Sequence, residues 1–301
     1  MSARTSADAA SVIVVGAGAF GSAAADALAR RGWAVTVVEQ YAPANARGSS
    51  GDLTRQLRRG HGAGSLEEDL WYIRSADRGI ALWQELSDSW CPGLIEPTGM
   101  VWLAREEAGE EQRTHERLDL AGVANELLTP AQTQARFPGI AVDDLAFAVC
   151  EPGAAVIRAQ QAVLALLGRA TSFGARLLPG QARPSGPGAV TLTDGSRHGA
   201  DRVVWACGAW LGQLFPRDAP VRASWQDVIH WQTPPGWVHT PSSAHVPMPT
   251  ATGCSAEVLA TASSTLPPSA SCSPTPSRRN VRRPACSRHG PRAARPELTG
   301  R

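Results

Sequence analysis

Val12, Ile13, Val14 and Val15 form an unbroken apolar run that stops at Gly16, and a second such run, Val35 to Val38, follows Ala34. Continuous β-branched runs of this length read as strands buried on both faces, as in a parallel sheet. Between them residues 19–31 are mostly small helix formers, and Gly32 stands where a helix would end in the left-handed conformation. The order strand, glycine turn, helix, strand predicts a βαβ unit.

The pattern then becomes helical at longer period. Ser65 as N-cap with Glu68 as the capping-box acid predicts a helix to about residue 90, its core face carrying Leu66, Leu70, Ile73, Ile80 and Trp83. Residues 98–104 read as a strand, 105–120 as an exposed helix, and Thr129-Pro130 as the start of a short helix ending near Arg136. A helix over about 158–168 follows, then strands near 176–178 and 189–193, with Asp194-Gly195 as a hairpin turn. Residues 202–207 predict another buried strand, ending in a second glycine turn at Gly208 and a helix start at Trp210. Residues 219–231 read as a strand returning to a second domain.

Composition adds bounds. The 301 residues suggest about two domains, and 43% hydrophobic residues suffice for a real core. The net charge of +2 is unevenly spread: residues 242–301 hold eight Arg against two acids, and no Lys occurs anywhere in the chain. Six Cys at 91, 150, 207, 254, 272 and 286 show no metal-site spacing, and the first three read as free thiols of a reducing compartment. No signal-peptide pattern precedes Val12, and no apolar run is long enough to span a bilayer, so a cytoplasmic protein with no membrane partner is expected.

Candidate chemistry starts at Gly16-Ala17-Gly18-Ala19-Phe20-Gly21. Gly16 permits the tight turn, Gly18 admits a pyrophosphate near the backbone, and Gly21 allows close packing of helix on strand. The helix N-terminus favours the anion. Glu39, at the end of the second strand and followed by Gln40, is placed to accept hydrogen bonds from adenosine ribose hydroxyls, which argues against a 2′-phosphate. A plain nicotinamide domain would continue with another helix and strand. Here a polar loop over 42–52 intervenes, holding Arg47, Ser49 and Ser50, and leads to Thr54-Arg55-Gln56-Leu57-Arg58. If that piece is helical, Arg55 and Arg58 share a face and suit an anionic substrate; a solvated basic loop is the alternative.

These residues carry a resemblance. The glycines, Glu39 and the segment Gly48-Ser49-Ser50-Gly51…Thr54-Arg55-Gln56-Leu57-Arg58 resemble the amino-acid oxidase type of flavoprotein, above all the monomeric sarcosine oxidase and N-methyltryptophan oxidase group. Cys207-Gly208-Ala209-Trp210 resembles that family's second glycine turn. The resemblance implies an α/β fold: a three-layer Rossmann-like FAD-binding domain (1–90 and 150–217) with a discontinuous mixed-sheet substrate domain (91–149 and 218–241), incomplete at its C-terminal end. It implies FAD held by Gly16, Gly18, Ala19, Phe20, Gly21, Glu39, Gln40, Arg47, Ser49, Ser50, Thr54, Arg55, Cys207, Gly208 and Trp210. Arg58 would hold the carboxylate of a small N-methyl amino acid, with Arg55 beside the flavin as the other catalytic residue. Oxygen would be the acceptor, and a monomer without a nucleic-acid partner is expected. An NAD-dependent oxidoreductase and an inactive nucleotide-binding remnant are the competing readings.

Residues 242–301 contain ten Ser, nine Pro and no Phe, Trp or Tyr, and cannot supply a packed core. They read as a disordered basic tail or as an out-of-frame stretch, because the Lys on which oxygen activation depends in the resembling enzymes is absent. A weak or inactive oxidase is therefore expected.

Overall fold

A computed structural model describes residues 9–219, 221, 223 and 244–245. In chain order the elements are β1 (Ser11–Val15), α1 (Ala19–Arg30), β2 (Ala34–Glu39), β3 (Thr54–Leu57), α2 (Leu66–Ser89), β4 (Ile95–Glu96), β5 (Met100–Ala104) and α3 (Glu110–Leu120). Next come β6 (Glu126–Leu128), α4 (Pro130–Arg136), β7 (Phe147–Glu151), β8 (Ala155–Arg158), α5 (Ala159–Ser172), β9 (Arg176–Pro179) and β10 (Ala182–Pro184). The described chain ends with β11 (Ala189–Leu192), β12 (Arg197–Gly199), β13 (Arg202–Trp205), a 3-10 turn at Gly208–Trp210, α6 (Leu211–Leu214) and β14 (Ala244–His245).

The two apolar runs at the start are the centre of a parallel sheet ordered β13-β1-β2-β9. Both faces of β1 are covered, which is why its sequence does not alternate. Val12 and Val14 join Ala25 and Ala29 of α1 and Val163, Leu167 and Ala170 of α5 in one core. Ile13 and Val15 point the other way, against Ala182, Val190 and Leu192 of the antiparallel β10-β11-β12 sheet. Helices, parallel sheet and small antiparallel sheet make the three layers expected. An ion pair staples the helical layer: Arg169 Nε and Nη2 donate to the two carboxylate oxygens of Asp26 at 2.8 and 2.7 Å, both residues buried.

Helix α5 is buried on two sides. Its Ala162, Ala165 and Leu166 pack with Leu86, Leu94 and Ile157 beneath a second, antiparallel sheet ordered β3-β8-β4. The third sheet besides the parallel one, β14-β5-β7-β6, carries the remaining apolar strands; β5, β7 and β6 run antiparallel, and β14 lies parallel to β5. The capping boxes at Ser65/Glu68 and Thr129/Gln132 start α2 and α4 as their sequences predict.

Several expectations change. Residues 54–57 form a strand, not a helix: they pair antiparallel with β8, and Arg55 and Arg58 therefore point to opposite faces. The predicted core face of α2 is only partly covered: Ile73 is buried and Leu70, Ile80 and Trp83 are half-buried, but Leu66 is 48% exposed. Strands β4, β6, β7, β8 and β10 were not expected, β12 pairs with β11 across the expected hairpin turn, and α5 continues to Ser172. Cys91 is disulfide-bonded, whereas Cys150 and Cys207 are free. The strand expected over 219–231 lies outside the described residues save Ala219, Val221 and Ala223. Of the 242–301 tail only Ala244–His245 is described. Among the described residues no helix is long and apolar enough to cross a membrane.

Candidate functional site

A cavity of about 820 Å³ opens at the carboxyl ends of the parallel strands, the place where open α/β sheets bind ligands. Its floor is the turn after β1. Gly16 has φ +105°, and its N–H donates to the Val38 carbonyl at 2.8 Å. A side chain there would collide with the Ala206 carbonyl oxygen at 2.4 Å, so Gly16 is required by both conformation and space. At Gly21 a Cβ would lie 1.8 Å from the Gly16 carbonyl oxygen. The contact presses α1 onto the turn, as predicted for the third glycine. Gly18 serves as N-cap without a side chain, leaving the helix start open toward the cavity.

Glu39 ends β2 at the cavity wall and is 8% exposed. Its Oε2 accepts the Ala17 N–H at 2.8 Å and its Oε1 the Tyr41 N–H at 3.0 Å. A carboxylate offers about four acceptor positions, so two remain for hydroxyl donors from the cavity. The acid thus fixes the glycine turn as well as facing the ligand space. Gln40 and Tyr41 continue the wall, and the Arg47 guanidinium lies 4.5 Å over the Tyr41 ring rather than on the lining itself.

The loop after β2 closes the next side. Ser50 Oγ accepts the Ala19 N–H at 3.0 Å, the first helical N–H of α1 and the kind of donor an anion would use. Arg55 braces the same loop, donating to the Ser49 carbonyl at 2.5 Å, the Thr54 carbonyl at 2.7 Å and the Asp52 carboxylate at 3.0 Å. Ser49, Ser50, Arg55 and Leu57 line the cavity; Thr54 and Arg58 do not. Arg58, the residue after Leu57, turns toward the third sheet, where its guanidinium stacks 4.4 Å over Trp102 and donates to the Gly60 carbonyl at 2.5 Å. Burial and then the Arg58 charge hold the nearby His61 imidazole below its ordinary value, keeping it neutral at pH 7.

Cys207, Gly208 and Trp210 complete the wall opposite, and Phe20 sits at the mouth, 88% exposed. The Cys207 Sγ donates to the Val15 carbonyl at 3.5 Å. Burial, and secondarily the Glu39 charge, pushes its thiol up to about 11, so it is protonated and a poor nucleophile near neutrality.

Part of the lining was not foreseen. Gly180 and Gln181 reach it because β9 is a fourth parallel strand whose carboxyl end opens on the same crevice; the apolar run near 176 was the signal. Trp83, read as core, stands on the cavity wall with Ile157, Ala162 and Val163. Among the described residues no cluster of three metal-ligating side chains occurs.

The donors fit a flavin dinucleotide. The N-terminus of α1, with its Ala19 N–H on Ser50 Oγ, stands beside a buried acid with spare acceptor positions, and apolar volume continues past both to Leu57 and Trp83. Comparison with known proteins agrees. A family model described as FAD dependent oxidoreductase matches residues 11–286. N-methyl-L-tryptophan oxidase of Yersinia pestis is 27% identical over 211 residues, covering 68% of this chain and 55% of that protein. The structure of NikD, an unusual amino acid oxidase essential for nikkomycin biosynthesis, is 25% identical with a TM-score of 0.58, over 69% of this chain and 54% of NikD. Glycine oxidase from Geobacillus kaustophilus is 27% identical with a TM-score of 0.58, over 68% of this chain and 57% of that one. The chain therefore spans about half the length of the relatives it matches. With a match over most of its length and a cavity built for the cofactor, this chain belongs to the FAD-dependent oxidoreductase family, whose members are FAD-binding flavoproteins.

Proposed function

We propose that this chain oxidises the C–N bond of a small secondary N-methyl amino acid, with oxygen as acceptor. The observation that carries the reading is the position of Arg58 immediately after Leu57, the last cavity-lining residue of β3. A guanidinium fixed beyond that end of the cavity, off its lining and over Trp102, suits a carboxylate through paired N–H donors. When bound, FAD supplies the two-electron acceptor. The protein's own contribution is to hold the nucleotide at the glycine turn and Glu39, to fix the flavin-side loop with Arg55, and to orient the amino acid by its carboxylate on Arg58. Positive charge from Arg55 and Arg58 also favours the neutral over the protonated amine, and only the neutral amine has the lone pair that assists C–H cleavage. The relatives' names support an amino acid substrate.

Oxygen reactivity is expected to be poor, because the 301 residues contain no Lys to serve beside the flavin. The test is anaerobic mixing of the FAD-loaded protein with sarcosine or N-methyltryptophan, followed by admission of air. Bleaching of the flavin band with slow peroxide release supports the proposal. A flavin that no secondary amino acid bleaches overturns it.

A further inference from the structure

One face of the third sheet is organised around the short segment that follows β3. On β5 and β7 the residues Met100, Trp102, Val149 and Glu151 share that face, with Met100 opposite Glu151 and Trp102 opposite Val149. Their neighbours on the face are apolar, yet Glu151 is fully buried among them. Its carboxylate is held by the turn it faces: Oε1 accepts the Arg59 N–H at 2.8 Å and Oε2 the Gly60 N–H at 3.1 Å, while Arg59 Nη1 lies 3.8 Å away. Trp102, 5% exposed, presents its ring to the Arg58 guanidinium at 4.4 Å. Gly60 makes the approach possible: a Cβ there would lie 2.8 Å from Thr114 and 3.3 Å from the Trp102 ring. Backbone and side chain of the same three residues are thus gripped by neighbouring positions of one sheet face.

We propose that Glu151 and Trp102 are positioning residues for Arg58, setting the plane in which it can receive a substrate carboxylate. Stacking on an indole covers one face of the guanidinium and sets the plane of its edge N–H donors, the geometry by which a guanidinium recognises a carboxylate. Glu151 contributes by fixing the peptide groups of the turn, a task for which a buried carboxylate taking two N–H donors is well suited. Because β5 and β7 belong to a different sheet from β3, the arrangement ties the alignment of substrate to the seating of one sheet against the other. This inference rests on the reading of Arg58 as the carboxylate holder.

The test uses the FAD-loaded full chain and acetate as the probe carboxylate, read by perturbation of the flavin spectrum. Trp102→Leu is expected to weaken acetate on the order of tenfold while leaving FAD affinity unchanged, and Trp102→Phe, which keeps a π face, to recover most of the loss. Glu151→Gln, which keeps the shape and one acceptor, should weaken acetate with FAD still bound. Acetate binding in Trp102→Leu and Glu151→Gln equal to that of the parent overturns the positioning role. Equal losses in Trp102→Leu and Trp102→Phe, or a parallel loss of FAD, also overturn it, since a merely structural role predicts them. The underlying reading fails separately, if Arg58→Met binds acetate as the parent does or the parent gives no acetate response.

Discussion

The Glu39 carboxylate and the Ala17 N–H are joined by a buried 2.8 Å hydrogen bond across the mouth of the first βαβ unit. An acid expected only to contact the ligand therefore also holds the glycine turn in shape. Replacing Glu39 by Ala removes the ribose acceptor and orphans a buried N–H, a cost of about 1–3 kcal/mol for the latter. FAD affinity measured by fluorescence quenching should fall on the order of 10–100-fold, and Glu39→Gln, which retains one oxygen, should fall less.

The glycines differ in what a methyl group would cost. Gly21→Ala places a Cβ 1.8 Å from a backbone oxygen, and Gly18→Ala places one 3.4 Å from Ser50 Oγ, an ordinary contact. Urea unfolding should show Gly21→Ala less stable by about 3 kcal/mol or more, with Gly18→Ala within about 1 kcal/mol of the parent. Similar losses at both positions would show that α1 is not pressed on the turn.

The Asp26–Arg169 pair joins α1 to α5 without facing the cavity. Removing one partner leaves the other charge buried, so Asp26→Ala should cost about 3–5 kcal/mol in unfolding. Met in both places should recover much of that loss. FAD affinity of folded Asp26→Ala protein should be close to the parent's.

Cys207 gives the pH dependence. Its native thiol titrates near 11, above the ordinary value of 9.0, so between those two values the unfolded chain has lost a proton that the folded chain keeps. Stability from this group is intact below pH 9 and falls as pH rises toward 11. Iodoacetamide labelling at Cys207, followed by peptide mass spectrometry, should be slow at pH 8 and accelerate beyond pH 10. Bound FAD should slow it further, since Cys207 lines the cavity. Rapid labelling at pH 8 in the FAD-loaded protein would place the thiol elsewhere.

Much of the nucleotide side was legible because local signals and tertiary role coincide there. Val12 to Val15 could only be a doubly covered strand, and Gly16, Gly21 and Glu39 have jobs set by backbone geometry at fixed spacing. The segment from Thr54 to Arg58 stayed open between a helix, on whose face a period of three would bring both Arg together, and a solvated loop. Its strand conformation comes from pairing with β8, a hundred residues distant in the chain, which no local pattern reports. Phe147 to Glu151 escaped for a related reason: a charged residue in a five-residue apolar run looks like a turn until the N–H groups of Arg59 and Gly60 are seen to occupy it. Trp83 packs against the Leu86 and Leu94 cluster as helical spacing predicts, but that spacing does not report that its other side faces the cavity.

The most direct test of the account is titration of the purified full chain with FAD. Saturable binding near one equivalent is predicted, with visible flavin absorption retained through gel filtration and affinity lost in Glu39→Ala. A folded protein that stays colourless, or one whose FAD affinity is indifferent to Glu39, would contradict it.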